Sequence, residues 1–186
     1  MEVVRTPLGP DVRLPTHRTR QEQLIVRWPR AWAAGARALQ RLPPRSRMRR
    51  VLLGQNAISG WGAWVRGDLE LCQVRFARDY EYDPPREWLL PGMPTAYRGH
   101  AGLRQWAHDL REAWDFLDHT PLEIVDAGDV IAFLCQIRLR ARRSGVELDS
   151  RLGQVFWLER GLVVRERDFG DWAEALRVLG VNEGSG

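Results

Sequence analysis

A chain of 186 residues with 44% apolar content and nine tryptophans can bury a real core, which excludes a disordered polymer. It contains no lysine, so all 28 basic residues are arginine. Schiff-base catalysis, a Walker-type phosphate loop and a kinase lysine are thereby excluded. The net charge of +4 is unevenly spread: residues 1–50 set 12 arginines against Glu2, Asp11 and Glu22, while the other 136 set 16 against 21 acids. The basic character belongs to the N-terminal extension.

Along the chain, Met1–Arg20 is rich in Pro, Arg and Thr with no apolar period and reads as a mobile, dispensable segment. Gln21–Leu42 holds a helix opening near Pro29, with Trp28, Trp32, Ala36 and Leu39 as its apolar stripe, ended by Leu42-Pro43-Pro44. The arginine-rich step Arg41–Arg50 reads as a solvated helix start, with phosphate or anionic lipid as the alternative. A helix follows over about Arg45–Arg66, with Met48, Leu52, Ile58, Trp61 and Val65 as inner positions. Gly67 suits the left-handed position after it, and Asp68 caps a short helix Leu69–Phe76. A strand Tyr80–Asp83 stops at Pro84-Pro85, since neither proline can donate to a ladder.

Pro91, Gly92 and Pro94 mark a loop, and Tyr97-Arg98 a short strand. Gly99 and Gly102 bracket the start of a helix to about Trp114, apolar at Leu103, Trp106, Leu110 and Trp114. The rest reads as strands Leu122–Asp126, Val130–Arg142, Val146–Glu159 and Leu162–Phe169, joined by tight turns at Gly128-Asp129, Ser144-Gly145 and Glu159-Arg160-Gly161. Helices followed by long antiparallel strands predict an α+β fold: a bent sheet wrapped around helices into a half-open cone, with an N-terminal helical extension. The expected organisation is an extension over 1–43, the main domain over 44–181 and a tail over 182–186.

Four stretches carry a resemblance: Trp64-Val65-Arg66-Gly67-Asp68, the strand ending Asp83-Pro84, Tyr97–Trp106, and Asp168-Phe169-Gly170-Asp171 with the helix after it. Together they resemble the SnoaL-like polyketide cyclase branch of the nuclear transport factor 2-like superfamily, whose fold is that of the ketosteroid isomerases. The resemblance implies a cavity for a small hydrophobic molecule of polyketide or terpenoid type and acid–base chemistry needing no cofactor or metal. It places Asp83 where the isomerases keep their general base. Their two oxyanion donors fall at Gly60 and Gly153, which offer no side-chain donor, so steroid isomerisation is not expected.

Strand alternation gives the rest of the candidate cavity. With Asp149, Arg151, Gly153, Val155 and Trp157 on one face, and Glu166 and Asp168 on the matching face of the last strand, the cone holds Asp83, Arg151, Glu166 and Asp168. Trp61, Trp88, Tyr97, Trp106, Leu110 and Trp157 surround them. Carboxylates beside tryptophan gain the raised pKa that proton transfer near neutrality requires. A structural ion pair of Arg151 with an acid, in a core of tryptophans, is the bland alternative. Two other functions stay open: a non-catalytic ligand-binding or dimerisation module, and an epoxide-hydrolase-like site of Asp149, Arg151 and Asp168.

The histidines show no metal-ligand spacing, His119 falling in a loop. No apolar run reaches the ~18 residues of a membrane span, and the N-terminus has no signal-peptide apolar region. A cytoplasmic protein with reduced, packed thiols at Cys72 and Cys135 and no nucleic-acid or membrane partner is the expectation. The apolar residues Phe133, Leu139, Phe156 and Leu158 suggest a homodimer through the outer sheet face.

Overall fold

The computed structural model describes residues 2–9 and 12–181. A mixed, open sheet of seven strands forms its frame: β1 (Val4–Pro7), β2 (Phe76–Asp83), β3 (Tyr97–Arg98), β4 (Trp114–Asp126), β5 (Val130–Ala141), β6 (Glu147–Glu159) and β7 (Leu162–Phe169). Their order is β1-β4-β5-β6-β7-β2-β3, antiparallel except for the parallel pair β2 and β7. Helices α1 (Arg20–Arg27), α2 (Pro29–Gln40), α3 (Arg47–Val65) and α4 (Leu69–Gln73) precede β2, α5 (Gly99–Ala113) lies between β3 and β4, and α6 (Trp172–Val178) closes the chain. No helix among the described residues is long and apolar enough to cross a membrane.

Two cores divide at the sheet. On one face Leu53, Ala57 and Trp61 of α3 and Leu103, Trp106 and Leu110 of α5 pack on Ile124, Ile131, Ile137, Leu139 and Leu152. On the other, Ala175, Leu176 and Leu179 cover Val125, Ala132, Leu134, Val155 and Phe169. Gly153 permits that second contact, because a Cβ there would stand 2.5 Å from the Ala175 Cβ. Cys72 and Cys135 are both buried and free.

The caps follow the local sequence. Gly67 adopts φ +76°, and Asp68 accepts from the Leu71 amide at the start of α4. Thr19 and Glu22 form a reciprocal capping box on α1.

Five expectations are corrected. Residues 2–9 include β1, which pairs with the β4 edge, and Arg5 forks onto Glu123 at 2.8 and 2.6 Å. Arg18 forks onto Asp68 at 2.7 and 2.5 Å. Deleting residues 1–19 is therefore expected to cost about 2 kcal/mol, or roughly 4–8 °C in thermal melting; an unchanged melting temperature would show that these contacts carry nothing.

The inner face of α3 is Leu53, Ala57 and Trp61, whereas Met48, Leu52 and Val65 are exposed. Five alanines and glycines make its apolar stripe too weak to phase from sequence. Trp28 is likewise exposed; it ends α1, and only Trp32, Ala36 and Leu39 of the predicted stripe turn inward.

β4 begins at Trp114 and runs through Asp118, His119 and Pro121, which read as loop residues. Its register to β5 shifts at Phe116/Asp118 and again at Pro121/Glu123. Such bulges let a strand carry proline and reverse which side chains face inward.

The four residues that suggested a dimer face point inward: Phe133, Phe156 and Leu158 line an internal cavity and Leu139 is fully buried. Beside α6 the outer face carries cross-strand pairs of opposite charge, Arg138 with Asp149 and Arg140 with Glu147. It offers water a charged ladder.

Candidate active site

Between α2, α3, α5 and the sheet lies a cavity of about 170 Å³. Its apolar lining comes from Trp61, Leu103, Trp106, Leu110, Phe133 and Phe156. Polar groups are few, and their strands explain how they converge. On β2, Phe76, Tyr80 and Tyr82 face the cavity. On β7, Val163, Glu166 and Asp168 do so; the three-residue step from Val163 to Glu166 is produced by the register shift opposite Trp157/Leu158. On β4, Phe116 and His119 share the cavity side across the first bulge.

Glu166 and Asp168 are the electrostatic centre. Both are buried, and among the described residues neither has an arginine or histidine within ion-pair distance. Burial and the charge of Asp168 push the Glu166 carboxyl well above its ordinary range. Burial also raises Asp168, but the Tyr82 hydroxyl and the Gln154 amide donate to Asp168 Oδ2, at 2.9 and 3.3 Å, and hold it back. The amide is oriented by Trp61: indole Nε1 can only donate, and it meets Gln154 Oε1 at 3.0 Å, so Nε2 faces the acids. Two carboxyl groups in one pocket thus differ in affinity for a proton, Glu166 keeping it while Asp168 ionises first.

Around the acids are buried polar atoms with no hydrogen-bond partner among the described residues: Asp168 Oδ1, Tyr80 Oη, Trp88 Nε1 and both ring nitrogens of His119. Burial holds His119 neutral by lowering its pKa to about 4, and its ring meets Trp61 edge-on with centroids 6.1 Å apart. Unmet groups in this number are costly in an empty core and appropriate in a ligand site.

Of the residues expected at the site, Trp61, Trp88, Trp106, Leu110, Glu166 and Asp168 line the cavity. Tyr97 sits behind Trp106 and donates to Asp109 Oδ2 at 2.9 Å. Asp83 lies outside the lining and forms a partly exposed ion pair with Arg165 at 3.2 Å.

Arg151 and Trp157 are on the opposite face of β6, where Arg151 stacks on Trp172 at 5.0 Å and Trp157 joins the α6 core. The cause is register. Gln154 pairs with Asp168 and Phe156 with Glu166, so Leu152, Gln154, Phe156 and Leu158 face inward and the Gly153 set outward. Asp149, bonded to Gln136, is also outward, and the Asp149, Arg151, Asp168 group is not assembled.

Sequence reading missed Tyr80, Tyr82, Gln154 and His119. The alternation of Tyr80 and Tyr82 within DYEYD was the available signal for the first two; His119 had none, because it depends on a bulge.

α2 forms one wall of the cavity through Trp32, Ala36 and Leu39. Its last residue fastens it to two turns: Gln40 Nε2 donates to Leu158 O and Asp129 Oδ1, at 3.0 and 2.7 Å, and Gly161 N donates to Gln40 Oε1 at 2.5 Å. Gly161 has φ +81°, and a Cβ there would lie 2.6 Å from the Ala36 carbonyl carbon. Gly161→Ala is expected to push α2 outward and destabilise by about 1–3 kcal/mol, with increased uptake of an apolar dye. Unchanged dye uptake would show that α2 does not limit access.

The chain matches the SnoaL-like domain family over residues 61–166. Among solved structures it is similar to an NTF2-like protein from Burkholderia pseudomallei, at 22% identity and a TM-score of 0.55 over 68% of this chain and 96% of that one. An NTF2-like protein from Burkholderia xenovorans shares 22% identity with a TM-score of 0.54, over 66% and 92%. TerC, co-crystallised with polyporic acid, shares 16% with a TM-score of 0.52, over 68% and 97%. No curated protein matches the chain. These likenesses concern the fold; the family match spans more than half the sequence, including α5, β4 to β6 and both ends of the cavity from Trp61 to Glu166, and the chain belongs to the SnoaL-like domain family.

Proposed function

We propose that the cavity binds a small, largely apolar molecule and moves a proton on it, with Asp168 as the base. The observation that carries this reading is the buried Glu166 and Asp168 pair, which among the described residues has no cation within ion-pair distance and leaves Asp168 Oδ1 unpartnered beside the cavity. A carbonyl compound suits it. Asp168 takes a proton from the carbon next to the carbonyl, the C–H electron pair moves into the carbonyl, and the resulting enolate oxygen accepts from protonated Glu166 or Tyr80 Oη. Neutral His119 supplies a further donor and acceptor. In this reading Asp83 holds a surface ion pair with Arg165 and transfers no proton.

The volume bears on ligand size. An apolar cavity of about 150 Å³ accepts benzene, so about 170 Å³ suits one or two fused rings and is too small for a steroid or a four-ring polyketide.

The test is exchange of ring-ketone α-protons in D₂O, followed by NMR with cyclohexanone and 2-tetralone. The protein is expected to accelerate exchange, and Asp168→Asn to lower the rate by at least about 100-fold with the fold retained. If neither ketone exchanges faster, or Asp168→Asn equals the wild type, the reading fails. A non-catalytic binding module is the second reading, favoured by the apolar lining alone; it keeps ligand affinity and shows no exchange.

A further inference from the structure

Arg75 stands in the same cavity and is not used by the proton transfer above. It follows α4 and is buried, with 7% of its surface exposed. Nε donates to Asn56 Oδ1 at 3.1 Å, Nη1 to Leu71 O at 2.8 Å and Nη2 to Ser59 Oγ at 2.8 Å. A guanidinium has five N–H donors, so each terminal nitrogen keeps one.

All three acceptors are neutral. Among the described residues no carboxylate lies within 4.0 Å of this guanidinium. The nearest negative charge in the network is one hydroxyl away: Ser59 Oγ donates to Glu22 Oε1 at 2.7 Å, and Glu22 is already paired with Arg66 at 2.9 Å. Above Arg75 lies the ring of Trp32 from α2, 5.8 Å from the guanidinium carbon. Gly60 leaves the near side uncovered, since a Cβ there would already be in van der Waals contact with Arg75 Nε at 3.7 Å.

A buried arginine without a direct counter-ion is an unusual expense for a core, because an ion removed from water is stabilised only by a well-placed opposite charge. Its planar fork matches a carboxylate in two-point geometry. Glu166 and Asp168 do not supply that charge; they share the cavity, and between them they keep a proton.

We infer that Arg75 is an anion subsite, and that the cavity's ligand is a one- or two-ring compound bearing a carboxylate, its carboxylate on the free Nη donors and its ring among Trp32, Trp61 and Phe76. This rests on the cavity being a ligand site, as proposed above, but not on Asp168 being a base. Trp32 then has a double role, covering the ion pair from water and packing on the ring it anchors. Ligands lacking the charge still enter, but leave the arginine unmet.

The experiment compares benzoate with benzamide, and cyclohexanecarboxylate with its amide, by calorimetry at pH 7.5 on the full chain. Each acid is expected to bind at least tenfold more tightly than its amide. Arg75→Gln is expected to abolish the preference, read as the ratio of acid to amide affinity, and Arg75→Lys to restore part of it. The wild-type comparison needs no variant, so the inference stays testable even where Arg75→Gln fails to fold. Equal affinity for acid and amide, no measurable binding of either acid, or a preference that survives Arg75→Gln overturns it. Asp168→Asn separates the two readings: it keeps the acid preference if Arg75 is the subsite, whatever it does to proton exchange.

Discussion

Replacing Arg49 by methionine is expected to cost about 3–5 kcal/mol of folding free energy. Arg49 is 2% exposed, and its guanidinium is saturated. Nε and Nη2 fork onto Asp126 at 2.6 and 2.8 Å. Nη2 also donates to Gly128 O at 2.6 Å, and Nη1 donates to Gln40 O and Leu42 O at 2.7 and 2.8 Å. Methionine fills similar space but leaves the Asp126 carboxylate buried beside nothing but the Gly128 amide. It also removes the donors that terminate α2, whose last carbonyls have no other way to end within the helix. Urea denaturation followed by tryptophan fluorescence reads the loss. The double variant Arg49→Met/Asp126→Leu is expected to regain much of it, since removing both charges avoids stranding one. A single-variant loss below about 1 kcal/mol would place the pair with surface salt bridges.

Glu166→Gln is expected to stabilise the protein, and by more as pH rises. Burial raises the folded pKa values of both acids above those of the unfolded chain. Above the ordinary carboxylate range, near pH 4, the unfolded chain releases protons that the folded protein retains. Wild-type stability from this pair is therefore complete below about pH 4 and lost as pH climbs toward the folded values. Every tenfold difference in proton affinity between the folded and unfolded chain corresponds to about 1.4 kcal/mol, so a gain of about 2 kcal/mol or more is expected by pH 8 and none at pH 4. His119 works in the opposite sense. Its folded pKa of about 4 makes protonation favour unfolding, so its contribution is present above the unfolded value near 6.5 and lost as pH falls. The difference between variant and wild type cancels that part. A pH-independent difference would show that Glu166 is not held protonated by its surroundings.

What the sequence disclosed and what it withheld divide along physical lines. The α5 face of Leu103, Trp106 and Leu110 was legible because a strong 3.6-residue period survives any tertiary context. So was the acid pair, two residues apart on a strand whose turn at Gly161 was clear. The partner strand was not. Its side chains alternate with period two, and moving the β6 to β7 pairing by one residue exchanged Gln154 for Gly153, and with it Phe156 for Trp157. His119 required a bulge that has no sequence mark, and Arg75 required α2 and α3 to bring Trp32, Asn56 and Ser59 to the end of α4. Asp83 illustrates the converse: a position marked by its strand end and following proline, whose side chain turns to Arg165 on the surface.

The α2 wall lies outside the stretch that matches the family, which starts at Trp61. Glu166 is the last residue of that stretch and Asp168 lies two residues beyond it, whereas Trp32, Ala36 and Leu39 are contributed by the extension. The C-terminal end of α2 is held at Gln40 by both neighbouring turns, so an opening of this wall is expected at the Pro29 end, where among the described residues no side chain caps the helix. If the cavity is the ligand site proposed above, association slower than the ~10⁵–10⁷ M⁻¹s⁻¹ of open-site encounters is the expected mark of that wall, and the extension then sets how long a molecule stays.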